Sequence, residues 1–280
     1  MFRQLLDFFI FTSLFIACCA VLMVAQTGML FHLQFPLAAY TFVLSGAVCS
    51  YNFHWYLTPP VGTRLSQKLQ WNLSNKSLHF ALFLAGLIGA GISALFLIEH
   101  WLWLGVTAFL TFLYSAPKIE HPLFISLRRI AIGKTIFLAF AWTHVTVILP
   151  LLITATEFEA SQAWFVVNRF FFLYAICIVF DRRDLESDRA AGIKSLVTFF
   201  SPSGVDRLFW FSIVVAAITS IVLIRSFTLG DVVILLVPVC LMGLLYNYSK
   251  RSTSDYLYYF LLDGLMALSA AILILANFAR

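Results

Sequence analysis

Long apolar segments separated by short polar ones repeat along the whole chain. Segments of about 20 apolar residues, enough to cross a bilayer as a helix, lie near 5–26, 36–57, 78–98, 101–117, 130–153, 163–180, 208–225, 231–248 and 256–277. The pattern predicts an all-α polytopic membrane protein with nine transmembrane helices, folded as one domain over residues 1–280. The first segment follows Arg3 and resembles a signal peptide, but its length and the eight later segments favour a retained helix.

Composition supports this prediction. Hydrophobic residues make up 62% of the chain and charged residues only 11%, whereas about 25% charge is usual in soluble domains. The five cysteines all fall inside predicted helices and lack the paired spacing of a metal site, so we expect them to be packing residues.

The basic residues are distributed unevenly between the loops. All lysines and arginines except Arg169, Arg225 and Arg280 fall at the amino terminus or in the even-numbered loops. By the positive-inside rule, the amino terminus and these loops are cytoplasmic and the carboxyl terminus lies on the opposite side. We expect a bacterial inner or plasma membrane, surrounding lipids as partners, and no nucleic acid, because topology explains the net positive charge.

The densest run of charge spans residues 180–196. On a helix, Asp181, Asp184 and Asp188 would lie within roughly 60° of one another, while Arg182 and Arg183 would point elsewhere. Three carboxylates on one face repel each other unless a cation lies among them. Hard oxygen donors without histidine or cysteine suit Mg²⁺, so we predict a metal site on this face.

A second polar cluster ends the second apolar segment. It contains Asn52 and His54 among aromatic residues, and Pro59 and Pro60 end its helix. One interpretation is an aromatic belt at the membrane surface. The other is an interior position for Asn52 and His54, because polar side chains are costly in lipid. Four predicted helices separate this cluster from the aspartate run, so both are expected at one central cavity open to the cytoplasmic side.

Several other polar residues permit two interpretations each. Tyr114 is followed by Lys118, and Lys134 opens the fifth apolar segment; these lysines are either topology signals or ligands of phosphate oxygens. Arg64 lies in a loop that is either solvated or caps a cavity. Asp263, about two turns inside the last segment, is either functional or bonded to a neighbouring helix.

Two further features are expected to serve packing. His144, deep in the fifth segment, is predicted to be a neutral histidine hydrogen-bonded within the bundle. The small residues of 85–94 are predicted to allow close contact between helices.

The chain resembles the UbiA superfamily of intramembrane prenyltransferases. The run from Asp181 to Leu196 is similar to that family's second aspartate motif, DxxDxxxD followed by Gly-x-Lys-Thr-Leu, with Ser195 in place of threonine. The resemblance implies a helical membrane fold in which Mg²⁺ ions hold the diphosphate of an isoprenoid donor. It further implies transfer of the isoprenoid group to a lipophilic acceptor through an allylic carbocation.

The first aspartate motif of the family is largely absent here. Only Asn52 matches it, since Phe53, Tyr56 and Pro60 occupy the carboxylate positions. The resemblance therefore implies one Mg²⁺, held by Asp181, Asp184 and Asp188. We assign catalytic roles in diphosphate neutralisation to Lys118, Lys134 and Lys194, and substrate binding to Asn52, His54, Arg64, Tyr114 and Asp263.

Two functional hypotheses follow. The first is a prenyltransferase that moves an isoprenoid group from a prenyl diphosphate to a lipid or aromatic acceptor, with an altered metal site. The alternative is a catalytically inactive homologue that binds an isoprenoid or quinone-like lipid or acts as a membrane scaffold. A transporter has less support, because no feature of the sequence specifies ion coupling.

Overall fold

The computed structural model describes residues 2–59, 66–119, 121, 133–154, 157–185 and 196–278, and of these the side chains of Phe2, Pro117, Gly133, Lys134 and Leu196 are not described. All regular structure within these ranges is helical.

The helices are α1 (Phe2–Phe11), α2 (Leu14–Leu30), α3 (Leu37–Tyr56), α4 (Gln67–Ser74), α5 (Lys76–Leu95), α6 (Trp101–Ser115), α7 (Gly133–Thr143), α8 (Leu149–Ile153), α9 (Ala160–Arg183), α10 (Leu196–Phe199), α11 (Pro202–Val222), α12 (Leu229–Ser249) and α13 (Asp263–Phe278). A π-helical segment, His144–Ile148, joins α7 to α8, and another, Leu257–Leu262, leads into α13.

The chain is a multi-pass membrane protein, as the apolar pattern predicts. Six of the described helical spans are long and apolar enough to cross a bilayer, and counting α1 with α2 as one bent span gives up to seven. The helix α3 has 20 residues, but its polar carboxyl-terminal part reduces its hydropathy. The helix α6 has only 15 residues. The count of nine crossings therefore stays a prediction.

The first predicted helix is bent rather than straight. Its two parts, Arg3–Phe11 and Leu14–Leu30, meet at 66°. The break is at Ser13, whose φ of 64° is uncommon for a residue other than glycine. A bend exposes backbone carbonyls inside the bundle, and Asn52 of α3 donates a hydrogen bond to the carbonyl of Thr12 at 3.0 Å.

The described residues of the predicted even-numbered and odd-numbered loops lie at different ends of the bundle. Lys68, Lys118 and Arg183 come together at one end, which we call the basic end. At the other, which we call the opposite end, loop residues such as His32 and Glu99 line a hollow of about 470 Å³. Loops that alternate in sequence thus lie on alternating sides.

The helices α3 and α5 pack closely through glycine. A Cβ atom built on Gly86 would lie 2.6 Å from the backbone nitrogen of Cys49, and one built on Gly89 would lie 2.6 Å from the Ser45 hydroxyl. Close approach of backbones through small residues is the usual packing of membrane helices, and this part of the 85–94 segment serves the packing role expected of it.

Gly86→Ala tests this contact. The added methyl group would collide with backbone atoms that cannot rotate away, so we expect the midpoint of thermal unfolding in detergent to fall by roughly 5 °C. Gly91→Ala is the matched control, because no atom of the described residues lies within 4 Å of its Cβ position and alanine favours helix. Equal midpoints for the two variants would contradict the close packing of α3 against α5.

Candidate functional site

The aspartate run begins where α9 ends. The helix stops at Arg183, and the backbone N–H of Asp184 donates to the carbonyl of Phe180 at 3.0 Å. Asp181, 5% exposed, accepts a hydrogen bond from the Thr135 hydroxyl of α7. α9 therefore carries Asp181 but ends before Asp184. Asp188 lies outside the described residues.

Arg183 places a cation at the end of α9. Its Nε donates to Asp184 Oδ1 at 2.9 Å. The arginine was expected to point away from the carboxylates, yet it pairs with one of them. A negative charge at a helix carboxyl terminus opposes the helix dipole, and this guanidinium offsets it.

Two adjacent tyrosines pack against the same guanidinium. The centroids of the Tyr258 and Tyr259 rings both lie 4.6 Å from the Cζ of Arg183, and Arg183 Nη2 donates to the Tyr259 hydroxyl. Adjacent residues of an α-helix diverge by about 100°. Here both tyrosines lie in the π-helical segment Leu257–Leu262, and both rings contact the same cation. Such segments are frequent at functional sites.

Lys68 extends the cluster, although in the sequence it is only one of the basic residues of an even-numbered loop. Its side chain is buried, with Nζ 3.8 Å from the Tyr259 ring centroid and 4.8 Å from that of Trp55. Its backbone N–H donates to Asp255 Oδ2 at 2.8 Å. Asp255 Oδ1 also lies 3.9 Å from Arg183 Nη1. One carboxylate thus links the end of α9 to α4.

Burial lowers the pKa of the Lys68 ammonium, because desolvation disfavours its charged form. The charges of Asp263 and Asp255 oppose this effect and that of Arg183 adds to it. The charge on Lys68 therefore depends on its neighbours. Asp263 itself begins α13, directly after the π-helical segment, and is partly buried.

Three of the predicted site residues lie together beside Trp55. Lys118 Nζ donates to the Thr58 hydroxyl and lies 3.5 Å from the His54 carbonyl oxygen. The His54 ring stacks on Tyr114, with centroids 4.6 Å apart. Because Lys118 is also 5.7 Å from the Trp55 ring, these residues are continuous with the Lys68 cluster.

Asn52 occupies a different environment. It is fully buried, and its amide nitrogen donates to the carbonyls of Thr12 at 3.0 Å and Val48 at 2.8 Å. Its Oδ1 lies 2.7 Å from His79 Nδ1. Both N–H groups of the amide are therefore used within the bundle. These contacts are structural, and the role of Asn52 in substrate binding stays a prediction.

The hydrogen-bond pattern also defines the state of His79. Because the nitrogen of Asn52 faces two carbonyls, its oxygen must accept, so His79 Nδ1 carries a proton. His79 Nε2 lies 3.0 Å from Asn72 Oδ1, while Asn72 Nδ2 has no partner in the described part of the chain. Turning the Asn72 amide by 180° lets its nitrogen donate to Nε2. His79 is then neutral and held between two amides.

His144 has the structural role that its sequence position predicts. Its Nε2 lies 2.9 Å from the Thr107 hydroxyl, which itself donates to the carbonyl of Trp103 at 2.8 Å. The hydroxyl therefore accepts from the Nε2–H of the imidazole. The remaining predicted residues, Arg64 and Lys194, lie outside the described residues, as does the side chain of Lys134.

The described residues do not fit a second Mg²⁺ at the first-motif position. Phe53 stacks on Phe83 with centroids 5.0 Å apart, and the ring of Tyr56 packs against Phe80 at 5.4 Å. Aromatic rings packed against α5 thus stand where the family motif has carboxylates.

The second-motif position is a different case. Asp181 and Asp184 offer the oxygen donors that Mg²⁺ prefers. No group of three or more metal-binding side chains occurs in the described part of the chain, but Asp188 is not in that part. The single Mg²⁺ therefore stays a prediction.

These features define a class: a polytopic helical membrane protein with a buried cluster of cations and aromatic rings at one end. More specifically, its fold is that of a UbiA homologue from Aeropyrum pernix K1 in its apo form, with a TM-score of 0.68 and 14% sequence identity over 94% of this chain and 98% of that chain. The fold expected from the resemblance to the UbiA superfamily is confirmed. No family model and no curated protein sequence matches the chain.

Asn52→Leu tests the structural role of Asn52. Leucine has a similar volume but leaves the Thr12 carbonyl and His79 Nδ1–H unpaired, which costs about 1–3 kcal/mol for each buried group. We expect the midpoint of thermal unfolding in detergent to fall by roughly 5 °C or more. Asn277→Leu, at an exposed residue of the opposite end, should leave it unchanged. Normal stability of the Asn52 variant together with weakened farnesyl diphosphate binding would show a binding role instead.

Proposed function

We propose that the protein is a UbiA-like membrane prenyltransferase, which transfers an isoprenoid group from a prenyl diphosphate to a lipid or aromatic acceptor. The observation that carries this proposal is the convergence of Lys68, Lys118 and Arg183 on the paired rings of Trp55 and Tyr259. It occurs at the end of α9, in a fold shared with a UbiA homologue.

The cations suit a diphosphate leaving group. Departure of diphosphate from an allylic carbon concentrates negative charge on its oxygens, and nearby cations stabilise that charge. With aromatic rings in place of the first carboxylate motif, lysine ammonium groups would supply charge that a second metal ion supplies elsewhere in the family. Lys68 joins the predicted Lys118 in this role, with Lys134 and Lys194 as further candidates.

The aromatic rings suit the isoprenoid. Trp55, Phe180, Tyr258 and Tyr259 form a continuous aromatic group around the cations. Such rings provide an apolar surface for a polyisoprene chain, and their faces attract an allylic cation. The rings that hold Lys68 and Arg183 in the free protein are therefore of the kind that would stabilise a carbocation.

One Mg²⁺ is part of the proposal. Asp181, Asp184 and Asp188 would hold it, and when bound it would add positive charge at the diphosphate oxygens. Asp184 would exchange its bond to Arg183 for the metal. That exchange would leave the guanidinium available to the diphosphate, beside the Tyr259 hydroxyl.

We further propose nine crossings around a central cavity open at the basic end, with the amino terminus cytoplasmic. The positions of the first and last described helices, which place Arg3 and Asn277 at different ends, support an odd number of crossings. Arg3 contacts Tyr256 near the basic end, whereas Asn277 lines a hollow at the opposite end. The excess of lysine and arginine at the basic end makes it cytoplasmic by the positive-inside rule.

The alternative is a protein that binds an isoprenoid or quinone-like lipid without turnover. It is favoured by the packing of Phe53 and Tyr56 against α5, which places aromatic rings where the family motif has the carboxylates of a second metal site. It predicts binding of farnesol and of farnesyl diphosphate with similar affinity, because it gives the diphosphate no special role.

Lys68→Met tests the role of the buried cation. Loss of one charge-assisted contact should weaken farnesyl diphosphate binding to the purified protein by roughly tenfold or more, while farnesol binding stays unchanged. Lys68→Arg should restore most of the affinity, since guanidinium remains charged despite burial. Lys76→Met is the matched control, because Lys76 is exposed at the start of α5. Equal losses at Lys68 and Lys76 would exclude Lys68 as a ligand.

Asp184→Asn tests the metal. We expect Mg²⁺ to strengthen farnesyl diphosphate binding to the wild-type protein and EDTA to reverse this, whereas the variant should lose most of the Mg²⁺ effect. Asp231→Asn, in the exposed cap of α12, is the control. A second measurement, the release of diphosphate from farnesyl diphosphate with a panel of aromatic and lipid acceptors, separates the two hypotheses. Release by the wild-type protein that is lost in Asp184→Asn would exclude the non-catalytic alternative. A wild-type protein that shows no Mg²⁺ effect and no release would exclude the enzyme.

A further inference from the structure

Arg169 is a buried arginine far from the basic end. It lies nine residues after the first residue of α9, which places it about 14 Å along the helix and near the middle of a hydrocarbon core about 30 Å thick. Only 3% of the residue is exposed. Its guanidinium lies 4.9 Å from the ring centroid of Phe165, one turn earlier. An ionisable group at this depth indicates a function.

The guanidinium has few partners. Its Nη2 donates to Gln26 Oε1 of α2 at 2.8 Å, and the Ser269 hydroxyl of α13 lies 3.3 Å from the same oxygen. Within the described ranges, no aspartate or glutamate pairs with Arg169. The Nε2 of Gln26 is buried and has no hydrogen-bond partner among the residues that the structure describes.

The cluster therefore contains many donors and few acceptors. Arginine offers five N–H groups and the glutamine amide two, whereas the acceptor that the described residues give to Arg169 is the amide oxygen of Gln26, which also accepts from Ser269. An unpaired charge in a low-dielectric interior costs several kcal/mol. The neighbouring Asn168 shows that α9 satisfies purely structural groups: its amide donates to the Ala216 carbonyl at 2.7 Å and to Ser220 at 2.8 Å.

A cavity leads toward this cluster from the opposite end. It has a volume of about 590 Å³, and its lining includes polar residues of the opposite end, among them His32 and Asp231, as well as the apolar Ala25, Leu30 and Leu273. Ala25 precedes Gln26, Leu30 lies one turn after it, and Leu273 lies one turn after Ser269. The cavity therefore ends about one helical turn from the donors, and its nearest walls are apolar.

We propose that Arg169 and Gln26, with Ser269 fixing the glutamine, bind the carboxylate of a lipophilic acid that enters from the opposite end. A carboxylate supplies the missing negative charge and the acceptor atoms, and it matches guanidinium in bidentate geometry. The membrane depth and the apolar walls select an acid with a hydrocarbon body. The site is independent of the proposed diphosphate site at the basic end.

The test compares decanoate with decanol, which has the same chain length without the charge. Decanoate at saturating concentration should raise the midpoint of thermal unfolding of the purified full-length protein by roughly 5 °C, and decanol should not. Arg169→Met should abolish the decanoate effect. Its midpoint without decanoate should equal or exceed that of the wild type, because an unpaired buried charge has been removed. A merely structural arginine would give a lower midpoint.

Two further variants complete the test. Arg225→Met, at an exposed arginine near the opposite end, should keep the full decanoate effect and thus exclude non-specific action of the surfactant. Gln26→Leu should weaken decanoate at least tenfold, and it substitutes for Arg169→Met if that variant does not fold. Titration with sodium chloride distinguishes a site for a lipophilic carboxylate from a site for any small anion. If chloride raises the midpoint of thermal unfolding as much as decanoate does, the proposal is overturned. It is also overturned if decanoate does not stabilise the wild-type protein.

Discussion

The bond network around Arg183 is the constraint on which the basic end depends. One guanidinium bonds to Asp184, packs on Tyr258 and Tyr259, and lies beside Asp255. Asp255 in turn accepts from the backbone of Lys68. The end of α9, the approach to α13 and α4 are thereby fixed relative to one another. A cation held by rings on a rigid segment loses little side-chain entropy when an anion binds, which is the benefit of preorganisation.

The same need to satisfy polar groups explains the less regular parts of the bundle. The bend at Ser13 leaves backbone carbonyls without helical partners in a buried place, since Thr12 and Ser13 are fully buried, and Asn52 of α3 donates to one of them. His79 then supports the oxygen of Asn52. A polar residue in a membrane helix is therefore no proof of a ligand site. It indicates a function only when its hydrogen bonds remain incomplete.

The sequence predicts the helical membrane fold because apolar segments of bilayer length are a strong and local signal. The sequence also identifies His54, Tyr114 and Lys118 as candidates, because their polar character stands out at helix ends, and the folded chain brings the three together. The bend at Ser13 has no such signal, since neither proline nor glycine marks it. Lys68 and Tyr259 are 191 positions apart in the sequence, and only the folded chain brings that ammonium over that ring. The pairing of Arg183 with Asp184 was missed because helical angles do not apply where α9 ends.

The buried cations of the basic end and the buried Arg169 differ in the partners that surround them. At the basic end, Arg183 and Lys68 have carboxylates and aromatic rings around them, so the free protein tolerates them and an arriving diphosphate must compete with those partners. Arg169 has a ring and one amide oxygen, so an arriving anion displaces no carboxylate. Affinity for an anion is a difference between bound and free states. For the same direct attraction to an anion, the net free energy of binding should therefore be more favourable at Arg169. The basic end, whose cations already have partners, is better suited to stabilising negative charge that develops in a transition state.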